Sequence, residues 1–502
     1  MPWREHLLTA ARFRIAKILL CPVALAACAG YGQANPPCTG PSFDPKPWLD
    51  DFAQLRSEMS SHYANLEYAL SERRMDLPAL RRETEDKLSA SCSEADARKA
   101  LDGFLSAFGD GHLEIDWPKA ESGTAQDKAA ETGSLCVRLG YKKFGFKPGI
   151  EFSALPGFTA IGGEGADWFP GGILRASDSV RLGVIRIAIL SEHAYPEACE
   201  QTMAALKLAP TAKCDEQCEN DVERETANRL TDEIVHRAEQ LRASGATAIL
   251  VDITRNGGGS NWAEAPPRAL SSVPLMEAHA EFIRHEHWTK QLQDHLAEIE
   301  ADLKSGAEPK SVLRDAAARL RSGIAQSQQP CDRSQVWING QFSCSLLVDG
   351  ALFDAGLRYA APGSFKSWKS RTLLFDPLRY RYSESGGRLP LVVAVDWNTW
   401  SAAEYFAAVL QDNQAATIVG TVTGGAGCGY TDGGVPTTLK NSHAAVKMPD
   451  CVRLRRNGMN EVAGVTPDVL IPWSAHDSPA IKAEKLLESL KRLPISKVSQ
   501  VQ

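Results

Sequence analysis

Three pieces of this chain hold residues able to do chemistry. Ser401 lies within residues 391–420, LVVAVDWNTWSAAEYFAAVLQDNQAATIVG, where an apolar run (391–395) gives way to a polar corner and then to helical periodicity. A serine at a strand-to-helix junction sits among unpaired N–H groups and the positive end of the helix dipole, good ground for a nucleophile whose attack creates an oxyanion. The competing reading is a plain N-cap, since Ser401-x-x-Glu404 is a capping box. Gly257-Gly258-Gly259 forms a run whose backbone could approach a ligand and offer N–H groups to an anion, or could be a flexible loop. It is neither a Walker loop, lacking Gly-Lys-Ser/Thr, nor a G-x-G-x-x-G dinucleotide turn. His112 lies on a Gly-flanked turn, Gly109-Asp110-Gly111-His112, and by itself reads as a solvated turn histidine.

The elements that must position these residues alternate between strand and helix. Apolar β-branched runs at 182–190, 248–253, 391–395 and 417–420 read as buried strands. The face Ala227, Leu230, Ile234, Ala238, Leu241 marks one helix, and Ala402, Tyr405, Phe406, Val409, Leu410 another. Helices are expected at 49–71, 77–91 and 95–108, the last burying Leu101, Phe104, Leu105 and Phe108. This rhythm predicts an α/β class with a largely covered sheet. The expected organisation is a helical domain at 48–116 carrying the His112 turn, a small Gly-rich β region at 117–181 and a core at 182–493. An insertion at about 261–389 interrupts the core, with solvated helices at 281–305 and 311–322. Residues 119–132 read as loose, and a final helix spans 479–493.

The N-terminus reads as an export signal over residues 1–27: Arg4, Arg12, Arg14 and Lys17 precede an apolar segment too short to span a bilayer. Leu25-Ala26-Ala27-Cys28 resembles a bacterial lipobox, which makes Cys28 the expected lipidation site and residues 28–47 a Pro-rich tether. Ala29 gives a weak pointer to the outer membrane. Of the 12 cysteines, Cys21 and Cys28 fall in the signal and anchor, leaving an even set suited to disulfides in an oxidising compartment. Cys331/Cys344 and Cys428/Cys451 are natural pairs by proximity, while Cys214-x-x-x-Cys218 reads as a loop closure or half a metal site. His285-Glu286-His287 lacks the i, i+4 spacing of a zinc helix, so no metal and no cofactor is expected. A net charge of −7, with signs well mixed, argues against a nucleic-acid partner.

In chain order, several segments resemble the C-terminal-processing (tail-specific) serine protease family. They are Phe108-Gly109-Asp110-Gly111-His112, the strand at 182–190, Val251-Asp252-Ile253-Thr254-Arg255-Asn256-Gly257-Gly258-Gly259, Thr399-Trp400-Ser401-Ala402-Ala403-Glu404 with Gln411-Asp412, and Glu461-Val462-Ala463-Gly464-Val465-Thr466-Pro467-Asp468-Val469. The resemblance implies a crotonase/ClpP-like core and serine endopeptidase activity on proteins or peptides. The lysine that one branch places about 25 residues after the serine is Ala426 here, so the chain resembles the tricorn-like branch, which uses a histidine and a glutamate. That resemblance implies a triad of Ser401, His112 and Glu461. A serine that precedes the histidine in some members is Gly111 here, and no clear PDZ domain lies between 117 and 182.

The implied chemistry is coherent. Serine needs a base, neutral histidine suits neutral pH, and a carboxylate fixes the imidazole tautomer. The amides of Ala402 and of Gly257 or Gly258 are the expected oxyanion hole. His443 is a weaker rival base, and Asp412 reads as structural. A non-catalytic scaffold lipoprotein and an esterase-type hydrolase are the alternative functions.

Overall fold

The computed structural model describes residues 43–118, 133–162, 168–350, 357–384, 388–430 and 436–492. The export signal, Cys28, residues 29–42 of the tether and the stretch at 119–132 lie outside the described residues.

Four helices open the described chain: α1 (Lys46–His62), α2 (Leu66–Ser71), α3 (Leu77–Ser89) and α4 (Glu94–Ser106). Ser93 caps α4 by accepting the Asp96 N–H, and the buried face of this helix includes Leu101, Phe104 and Leu105. After the His112 turn, β1 (Glu114–Asp116) begins the strands. Then come β2 (Phe158–Ile161), β3 (Gly171–Arg175), β4 (Arg181–Arg186), α5 (Glu216–Ala243) and β5 (Ala248–Asp252). The region between β5 and the strand before Ser401 holds β6 (His279–Ile283), α6 (Glu286–Ser305), α7 (Lys310–Ser327) and β7 (Leu347–Gly350). The chain ends through β8 (Leu391–Val395), α8 (Ala402–Asp412), β9 (Thr417–Gly420), β10 (Thr437–Thr438), β11 (Ala445–Lys447), β12 (Cys451–Leu454), β13 (Val469–Leu470) and α9 (Pro479–Leu490).

A seven-stranded sheet in the order β13-β9-β8-β5-β4-β3-β2 forms the core, parallel from β13 to β4 and antiparallel beyond. Every residue of β5 and β8 is buried, as continuous apolar runs require in a sheet covered on both faces. The parallel register, Val251 beside Val393, brings the carboxyl ends of β5 and β8 together, so the glycine run and the Ser401 corner leave the sheet side by side.

Two smaller sheets frame the site. In one, β1 pairs with β11, which pairs with β10; in the other the order is β12-β6-β7. The strand after His112 and the strand before Glu461 are therefore each fastened to chain far away in sequence. Helices α6 and α7 were expected to be solvated, yet Trp288, Leu292 and Ile299 of one share a buried cluster with Leu313, Ala316 and Leu320 of the other. Their apolar stripe is narrow beside the surrounding charge, and only a partner helix makes it an interior.

Four disulfides join described cysteines: Cys136–Cys199, Cys214–Cys218, Cys331–Cys344 and Cys428–Cys451. Cys214–Cys218 is thus a loop closure, and the metal alternative for that pair falls away.

Candidate active site

Ser401 has backbone angles φ 54° and ψ −121°, a region that residues with a Cβ enter at a cost. The surroundings over-determine this conformation. Asp396, fully buried, accepts the N–H of Arg255 (2.8 Å) and of Asn398 (3.1 Å), and its other oxygen meets Lys482 Nζ at 3.2 Å. Trp400 donates its N–H to Asn256 O (2.9 Å), and Thr399 Oγ1 donates to Ile253 O (3.0 Å). The loops after β5 and β8 are in this way stitched into one unit. Gly258 is required at their contact, since a Cβ there would lie 2.8 Å from Ser401 Cβ and 2.9 Å from Ala402 N.

His112 is delivered by the turn after α4. The Asp110 carboxylate accepts the His112 N–H (3.0 Å), the Tyr63 hydroxyl (3.0 Å) and Asn65 Nδ2 (2.8 Å). Burial raises the Asp110 pKa, partly opposed by these donors. Gly111 lets the turn lie on Trp400, where a Cβ would come within 2.2 Å of the indole. The result places His112 Nε2 3.0 Å from Ser401 Oγ. Nδ1 is 2.8 Å from the carbonyl oxygen of Ala426. A carbonyl can only accept, so the ring proton belongs on Nδ1 and Nε2 faces the serine hydroxyl as a lone pair.

The expected carboxylate is elsewhere. Glu461 is fully buried, but its oxygens take Arg453 Nε (2.8 Å) and Nη2 (3.0 Å), while His112 Nδ1 meets a backbone carbonyl. A fully buried carboxylate needs a cation or a full set of hydrogen-bond donors, and for Glu461 Arg453 of β12 supplies the cation in bidentate form. Of the three residues expected to form a triad, the structure brings Ser401 and His112 together and does not bring Glu461 onto the imidazole.

The expected oxyanion donors also separate. The Gly258 N–H is already donated to Asn256 Oδ1 (2.9 Å), so it does not serve as a donor in this arrangement. Ala402 and Gly259 line the open cleft beside Ser401 and His112, a space of about 270 Å³ that also touches Tyr430 and Arg453. Gly257 has nothing within 4 Å of its Cβ direction and is not among the cleft residues. His443, the rival base, lies in the turn between β10 and β11 and donates its N–H to Leu439 O.

Sequence reasoning missed two residues. Glu404, read as half of a capping box and as part of the resembling Ser401 segment but given no role at the site, is fully buried and accepts the Ser401 N–H at 2.9 Å. Arg453 carried no signal at all, because its role depends on a pairing between distant segments.

The profile described as Peptidase family S41 matches residues 358–471, a span that contains Ser401 and Glu461. By that match the chain resembles peptidase family S41 over those residues. It is a serine-type peptidase. No curated protein sequence matches the peptidase. Among solved structures, mature CPAF is similar at 16% identity, covering 90% of this chain and 98% of that one with a TM-score of 0.56. Mature CPAF complexed with lactacystin gives 16% identity, 90% and 99% coverage and the same TM-score of 0.56. The photosystem II D1 C-terminal processing protease is a more distant match, at 13% identity, 86% and 94% coverage and a TM-score of 0.32. At 16% identity the likeness to CPAF is one of fold.

The disulfide Cys428–Cys451 braces the site of the peptidase. Cys428 lies two residues after Ala426, which receives His112 Nδ1, and Cys451 opens β12, two residues before Arg453. A crosslink over a loop of this length contributes about 3 kcal/mol. Cys428→Ser/Cys451→Ser is expected to lower the melting temperature and, by loosening the Ala426 carbonyl, to cut kcat/KM at least about tenfold. Calorimetry and peptide hydrolysis on the purified variant check both.

Proposed function

We propose that the peptidase is an endopeptidase of the cell envelope that uses Ser401 as nucleophile and His112 as general base. The observation that carries this reading is the 3.0 Å contact between Ser401 Oγ and His112 Nε2, on a serine held at φ 54°. Nε2 takes the hydroxyl proton as Oγ attacks the substrate carbonyl. The Ala402 N–H, at the head of α8, receives the oxyanion. The tetrahedral adduct then expels the amine, which takes the proton from His112, and leaves an acyl-enzyme. Water, deprotonated by the same imidazole, releases the acid and restores the serine.

Support for export comes from the four disulfides and from the basic and apolar segment before Cys28. In this reading Cys28 carries the lipid, residues 29–47 tether the body to the outer membrane, and the substrates are exported proteins or peptides. An open cleft suits a polypeptide that passes through more than a small ester.

A fluorophosphonate probe tests the nucleophile. The wild-type protein is expected to become labelled on Ser401, and His112→Ala to label at least about a thousandfold more slowly, since the members of such a site act as a unit. Labelling of His112→Ala at the wild-type rate would remove the histidine from the mechanism.

A further inference from the structure

We propose that Glu404 is the carboxylate that serves this active site, as a positioning residue acting on His112 through Ala426 and on Ser401 through its N–H. The inference rests on the Ser401–His112 reading and adds a member to it.

Oε1 of Glu404 accepts the Thr423 hydroxyl (2.5 Å) and the Gly425 N–H (2.7 Å); Oε2 accepts the N–H of Ala426 (2.8 Å) and of Ser401 (2.9 Å). Three of these partners are amides that can only donate. Thr423 Oγ1 itself accepts the Val465 N–H (2.7 Å), which leaves its own hydrogen for Glu404. The acceptor sites of a carboxylate are therefore filled by donors, and the set leaves no place for a proton on Glu404. Among the described residues no Lys, Arg or His forms an ion pair with it. It is a fully buried anion held by hydrogen bonds alone. Burial raises its pKa, while Thr423, Ala426 and Gly425 pull the other way.

This geometry closes a ring. Glu404 holds the Ala426 N–H, the carbonyl of the same residue receives His112 Nδ1, and Nε2 of that ring faces Ser401, whose own N–H returns to Glu404. Shifting the carboxylate would move the acceptor that fixes the imidazole tautomer and the backbone of the nucleophile at once. Its charge is also uncompensated, so it is available to the imidazolium that forms as Ser401 attacks. The charge of Glu461, by contrast, is taken up by Arg453.

Glu404→Gln keeps the shape, removes the charge and turns an NH₂ group toward a set of donors. It is expected to lower kcat at least about a hundredfold with KM unchanged, because substrate does not touch Glu404. A structural role alone would not move the His112 Nδ1–H resonance, observed in protein labelled with ¹⁵N-histidine. That resonance is expected to shift in Glu404→Gln and to stay in place in Glu461→Gln. Thr423→Val, which deletes one donor and spares the charge, provides the milder perturbation should Glu404→Gln fail to fold. It is expected to shift the resonance in the same direction by less and to lower kcat about tenfold. An unmoved resonance in the folded Glu404 or Thr423 variant, or a shift confined to Glu461→Gln, overturns the proposal. The resonance does not depend on turnover, so failure of the Ser401–His112 reading, seen as hydrolysis surviving in Ser401→Ala, is a separate outcome.

Discussion

Ser401→Gly is expected to abolish peptide hydrolysis and yet to be more stable than Ser401→Ala. Both variants remove the hydroxyl, so both should lose kcat by roughly 10⁵–10⁶, the scale seen when a serine nucleophile is deleted. Both also lose the same contact to His112. They differ in the backbone. At φ 54° and ψ −121° a Cβ is strained by about 1–3 kcal/mol, and glycine is not. Glycine gives back about 0.5–1 kcal/mol through the entropy of the unfolded chain. A net advantage of about 1 kcal/mol over alanine remains, worth about 1 °C in melting temperature for a chain of this size. Paired calorimetry on the two variants, with hydrolysis of a fluorogenic peptide, measures both effects. A glycine variant less stable than the alanine variant would mean that the serine backbone is not strained, and retained turnover in either would remove Ser401 from the mechanism.

That strain explains why the capping and catalytic readings of Ser401 compete in the sequence and coexist in the structure. The strand, the corner and the helix were legible because β8 is a continuous apolar run and α8 has a clear helical face. The capping partner Glu404 was legible at i+3. Its other hydrogen bonds, to Thr423, Gly425 and Ala426, join segments that no local pattern connects. The acceptor for His112 Nδ1 is a main-chain carbonyl, and a carbonyl has no letter in a sequence. Resemblance pointed to Glu461 as the orienting carboxylate. What its spacing from Ser401 did not reveal was Arg453, brought beside it where β12 joins the sheet of β6 and β7. The amphipathic helices α6 and α7 were misjudged for a related reason: their stripes become interior only against each other.

The pair Arg453–Glu461 carries the second large effect. Arg453→Met should destabilise the peptidase by about 3–5 kcal/mol, because it strands a fully buried carboxylate without its cation. Glu461→Leu should cost less, because the guanidinium it leaves unpaired is partly exposed at the cleft and also lies over the Tyr405 ring, 4.8 Å from its centroid. Replacing both residues exchanges a buried ion pair for apolar contacts of similar volume, which is often close to neutral. The double variant Arg453→Met/Glu461→Leu is therefore expected to recover most of the lost stability, with a favourable coupling of several kcal/mol in the mutant cycle. Activity discriminates between the possible roles of Glu461. If it acts through Arg453 as a structural partner, kcat returns with stability in the double variant, because Ser401, His112, Ala426 and Glu404 are untouched. If it is the carboxylate that orients His112, the double variant folds and remains inactive. Denaturant unfolding and steady-state kinetics on the same four proteins answer both questions, and a stable, inactive double variant would return Glu461 to the imidazole.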